Sequence, residues 1–81
     1  MNVSISRIRY VVVTGNKILC GLARAYEFRP IDDIGDTAIK TYLSEKKAKA
    51  SFKSSYGVSD KDFESGEYKI VKVVETLTEV L

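Results

Sequence analysis

The chain has no histidine, one cysteine and one proline, and none of its apolar runs is long. Each shortage excludes something. Without histidine, and with Cys20 as the sole thiol, transition-metal sites and the common nucleophile–base pairs have no residues to build them. A single cysteine closes no internal disulfide, which fits a reducing compartment and argues against a stapled secreted scaffold. No apolar stretch approaches the length of a membrane span. Arg7 and Arg9 precede an apolar run ending in Ala23-Arg24-Ala25, superficially like an export signal. Lys17 and the Gly15-Asn16 turn interrupt it, so no continuous apolar core remains for export. The expectations are a cytoplasmic protein without membrane contact, cofactor or enzymatic activity.

Two glycine-containing stretches also fail as ligand loops. Val12 to Gly21 (VVTGNKILCG) has five residues between its glycines where a phosphate loop has four, and Leu22 stands where Lys-Ser/Thr is needed. Asp60 to Gly66 (DKDFESG) begins like a calcium loop, but its glycine falls one position late. Its twelfth position is Val71 and not the bidentate glutamate.

What is present is a small globular composition. With 81 residues, 44% hydrophobic and 30% charged, residues 1–81 read as one domain near the lower size limit for a single core. The net charge of +2 is too small to imply a nucleic-acid partner by itself. Its layout carries more information. Residues 1–29 hold five basic side chains against Glu27, and residues 30–36 hold three aspartates and no base. Residues 37–58 hold five lysines against Glu45, and residues 59–68 four acids against Lys61. Basic and acidic blocks alternate.

Arg7 to Phe28 is the most apolar stretch and reads as a β-hairpin reversing at Thr14-Gly15-Asn16. A two-residue loop pairs Thr14 with Lys17 and Val12 with Leu19. A three-residue loop aligns Ile8, Tyr10 and Val12 with Leu22, Cys20 and Ile18. Turn chemistry favours the first and core continuity the second; the second is the expectation. Arg29-Pro30 ends this strand, and residues 30–36 form a loop. Thr37 to Leu43 reads as a third strand, with a helix begun at Asp36 as the alternative. Ser44 caps a helix that Gly57 closes, with Ala48, Phe52 and Tyr56 as its apolar stripe. Residues 58–66 form an acidic connection. Tyr68 to Val74 is a closing strand, apolar on both faces as in a central or bulged strand. The expected fold is α+β: an antiparallel sheet of three to four strands with one helix on one face, β-β-(β)-α-β.

Two surfaces stand out. Lys46, Lys49 and Lys53 share one helical flank, and Lys46 and Lys47 lie in the first turn, where the helix dipole disfavours cations. With Arg7, Arg9 and Arg24 they form a candidate surface for nucleic acid or an acidic partner. Val11, Val13 and Leu19, joined by Val71 and Val73, form a candidate apolar face on the side of the sheet that one helix cannot cover. Leu77 and Leu81, or alternatively Val80, add to it, and a homodimer or a partner protein is expected to bury it.

The layout resembles a loose class of short phage-encoded accessory proteins. The matching stretches are the hairpin Tyr10 to Leu19, Ala38 to Tyr42, the serine-capped lysine-rich Ser44 to Phe52, and the closing Tyr68 to Val73. The resemblance implies a non-enzymatic, counter-defence type of module that inhibits or redirects a host or defence protein in the host cytoplasm, or that binds RNA. It supplies no functional residue.

Overall fold

The computed structural model describes residues 4–21, 25–35 and 37–78. Four strands and two helices follow one another: β1 (Ser4–Thr14), β2 (Lys17–Cys20), β3 (Glu27–Pro30), α1 (Glu45–Tyr56), α2 (Asp60–Glu64) and β4 (Lys69–Thr78). The strands form one antiparallel sheet in the order β3-β2-β1-β4. The fold is α+β, as the apolar patterning predicts, with α1 packed on one face.

The hairpin closes in the two-residue register, not the expected three-residue one: Thr14 pairs with Lys17 and Val13 with Ile18. Gly15 takes φ of 57°, the left-handed conformation whose twist matches that of the flanking strands. Core continuity misled because the hairpin ladder is only these two pairs long. Beyond it β1 and β2 find other partners. Tyr10 exchanges two backbone hydrogen bonds with Tyr42, at 2.9 and 2.8 Å, and the Leu19 carbonyl accepts from the Lys40 N–H at 3.0 Å.

Those bonds decide the fate of residues 37–43. The expected third strand is absent there, as is the alternative helix over the described part. The segment makes two isolated bridges, Cys20 to Ile39 and Tyr10 to Tyr42, and so completes backbone groups that the short hairpin leaves open. The third strand is instead Glu27–Pro30, antiparallel to β2 with Leu19 opposite Phe28. Strand β2 stops at Gly21, whose φ of 123° leaves the extended region that side-chain-bearing residues favour. The acidic connection also contains a helix: the Ser59 N–H donates to Asp62 Oδ2 at 2.8 Å, closing the first turn of α2.

Helix α1 follows its local signals. Ser44 accepts from the Lys47 N–H at 3.1 Å, and Gly57 closes the helix in the left-handed conformation. Ala48 and Phe52 are fully buried, while Tyr56 at the end of the stripe is partly exposed. Phe52 packs on Val12 and Leu19 and is ringed by aromatics: Phe28 edge-on at 5.9 Å, Tyr68 at 5.0 Å and Tyr56 stacked at 4.6 Å.

Leu19 therefore belongs to the helix-facing core, not to the open face on which the sequence placed it. The two-residue register sets it beside Val12. The opposite face is no open patch either: Val11 is 2% exposed and forms a second small core with Ile18 and Cys20. Ile34, from the loop after β3, packs against that core with Val13 and Val73. Strand β4 is an edge strand, not a central one, and pairs with β1 in unbroken register from Val13–Lys69 to Ser4–Thr78. The inner strands are β2 and β1.

Candidate interaction surface

The two cationic sets of the sequence do not meet. In an antiparallel strand alternate side chains take opposite faces. Val12, with Leu19 and Phe52, marks the α1 side. Arg7 and Arg9, odd-numbered with Val11, therefore lie on the other side, opposite Glu75 and Val73 of β4. The Arg7 Nε donates to the Glu75 carboxylate at 2.7 Å, and an Arg9 guanidinium nitrogen to the Ile8 carbonyl at 2.9 Å. Arg24 lies outside the described residues.

The lysine flank of α1 is partly neutralised. Asp60 of α2 receives the Lys53 ammonium at 2.8 Å and the Lys49 ammonium at 3.6 Å. The Lys53 hydrogen bond, reinforced by the charges of both lysines, holds the Asp60 carboxyl below the usual carboxylate range. Lys49 also lies over the Phe63 ring at 5.3 Å. Among the described residues Lys46 and Lys47 have no acidic partner, and both are exposed. What remains is two adjacent first-turn cations, not a continuous basic track.

Cys20 is fully buried, and burial pushes its thiol pKa up, the direction opposite to that of an activated nucleophile. No group of three or more His, Cys, Asp or Glu is placed to hold a metal among the described residues. None of the described helices is long and apolar enough to cross a membrane.

The prominent surface is one that sequence patterning singled out only at Leu77. Strands β1 and β4 have 11 and 10 residues, against four each in β2 and β3. Their distal halves run on as a two-stranded ribbon, and the molecule measures 48 × 25 × 22 Å. Ile8 and Val74 are directly opposite on this ribbon and 48% and 62% exposed. On its other face Ile5 and Leu77 are opposite and 55% and 50% exposed. Cross-strand apolar pairs are the unit that a sheet buries, and here two such pairs face solvent, one on each side. Of the predicted apolar face, Val71 and Leu77 are exposed and Val13 and Val73 half-buried, while Val80 and Leu81 lie outside the described residues. The usable signal was strand length: two long apolar strands cannot both be covered by a three-turn helix.

No family model matches this chain, and no curated protein or solved structure does either.

Proposed function

We propose that this chain is a non-enzymatic binding module that works through protein contacts made by the β1–β4 ribbon. The resemblance to phage-encoded accessory proteins suggests the setting: a host or defence protein in the bacterial cytoplasm, inhibited or redirected by direct binding. The observation that carries the reading is the Ile8–Val74 pair, solvent-facing on an extension that adds nothing to the Phe52 core. Exposed apolar pairs on a projecting element favour an apolar partner surface. The RNA alternative needs a basic surface. It is disfavoured by the placement of Arg7 and Arg9 on the face opposite α1 and by the pairing of Lys49 and Lys53 with Asp60.

The test is a photo-crosslinking amino acid at Ile8, with the same probe at Lys46 for comparison, in bacterial host cells. A nuclease-resistant, protease-sensitive adduct at position 8, of a mass other than twice the chain, supports the reading. Nuclease-sensitive adducts at position 46, with none at position 8, transfer the function to nucleic acid.

A further inference from the structure

Among the described residues β4 is the longer of the two edge strands, and the hydrogen-bonding groups of its outer edge can be assigned residue by residue. In an antiparallel ladder the backbone groups of successive residues point to alternate neighbours. Tyr10 spends both of its groups on Tyr42, so Arg9 and Val11 are the residues that bond to β4, through Val73 and Val71. Ile70, Lys72, Val74 and Thr76 therefore point their N–H and C=O groups outward. Tyr68 has the same parity, and its N–H indeed goes outward, to the Asp62 carbonyl at 3.2 Å. Beyond that capped position no backbone group of the described residues bonds to Ile70, Lys72, Val74 or Thr76 from the outer side.

Other edges of this sheet are guarded in the ways that natural sheets use. Strand β3 is four residues long and ends in Pro30. On the free edge of β1 the Ile8 carbonyl is taken by the Arg9 side chain. Strand β4 has no proline and no bulge over its ten residues.

We infer that the β4 edge pairs antiparallel with the β4 edge of a second copy of this chain, about a two-fold axis at Val74. Outward groups must meet outward groups, so only even-numbered residues can stand opposite even-numbered ones, which leaves few registers. An axis at Lys72 sets two ammonium groups against each other, and one at Glu75 sets two carboxylates against each other. An axis at Val73 places Val71 against Glu75 and Lys72 against Val74. An axis at Val74 places Val74 against itself, Val71 against Leu77 and Lys72 against Thr76. The apolar side chains of β4 that are most exposed, Val74 at 62%, Leu77 at 50% and Val71 at 39%, then meet one another, and no like charges are opposed. Self-complementarity of this kind is what an isologous interface requires. The pairing stands on the β4 edge and not on the reading of a protein target. It also extends the Ile8–Val74 strip symmetrically across the axis into one four-stranded surface.

The test uses the purified chain alone, so its outcome is independent of any target. Light scattering at micromolar concentration is expected to give about 18 kDa, twice the 9.1 kDa chain. Val74→Pro removes an outward N–H while leaving the β1 ladder intact, and should give the single-chain mass. Register is read by oxidation. Two Val74→Cys residues face each other at about 5.5 Å between Cα atoms, within disulfide reach. Two Lys72→Cys residues are offset by four positions, about 13 Å, and should not cross-link. The buried Cys20 does not compete. A wild-type mass of 9.1 kDa throughout overturns the proposal, as does a folded Val74→Pro dimer or equal cross-linking at 72 and 74. If Val74→Pro does not fold, the two cysteine variants decide.

Discussion

The Lys53 ammonium lies 2.8 Å from the Asp60 carboxylate, seven residues along the chain, and ties the last turn of α1 to the first turn of α2. Lys49 reaches the same carboxylate from one turn earlier at 3.6 Å, so one acid relieves the repulsion between two lysines spaced i to i+4. Asp60 is thus the residue through which the acidic block after α1 answers the basic block within it.

The pH dependence of stability follows from that pair. Asp60 has its pKa lowered in the folded chain, so the unfolded state binds the proton more readily. Its stabilisation is present in full above the ordinary carboxylate pKa and is lost as pH falls through the depressed native value. The site is exposed, so the effect is small and weakened by salt. Asp60→Asn should lower the melting temperature slightly at neutral pH and flatten its decline on acidification, measured at low ionic strength. An acid limb unchanged by the substitution would show that the pair contributes nothing.

Phe52 is the anchor of α1. It is fully buried between Val12, Leu19 and four aromatic rings. Phe52→Ala should cost about 3–5 kcal/mol, a large part of the stability of a domain this small. Urea denaturation measures it, and a midpoint close to that of wild type would contradict the packing described.

Two glycines in β-turn and strand-end positions are predicted to respond differently to alanine. At Gly21, with φ of 123°, a Cβ would collide with the Ala25 carbonyl oxygen. At Gly15, with φ of 57°, nothing lies within 4 Å. Gly15→Ala should cost about 1–2 kcal/mol, the ordinary penalty of a left-handed residue. Gly21→Ala should cost more than Gly15→Ala, because collision with backbone adds to conformational strain of about 1–3 kcal/mol. Equal melting temperatures for the two variants would rule out the close approach of Gly21 to the Ala25 carbonyl.

What could be read directly from the sequence was whatever depends on neighbours in the chain. The α1 boundaries at Ser44 and Gly57, the reversal at Gly15-Asn16, the extended character of β1 and β4 and the α+β class all rest on capping, turn chemistry and side-chain period. These act over a few residues. The Asp62 capping of α2 was equally local and was hidden only by the acidity that made residues 58–66 read as loop.

Tertiary structure decided everything that depends on competition between distant groups. The two hairpin registers differ by one residue, and a one-residue slip moves Leu19 from one face of the sheet to the other. The choice was made where Lys40 and Tyr42 claimed the backbone groups of Leu19 and Tyr10. The same competition turned residues 37–43 from a strand into two bridges and left Glu27–Pro30 to extend the sheet. The pairing of Lys49 and Lys53 with Asp60, the separation of the arginines from the lysines, and the exposure of the Ile8–Val74 pair were settled there too. Sequence pattern states which side chains seek burial or a counter-charge; only the folded chain determines which of them is reached first.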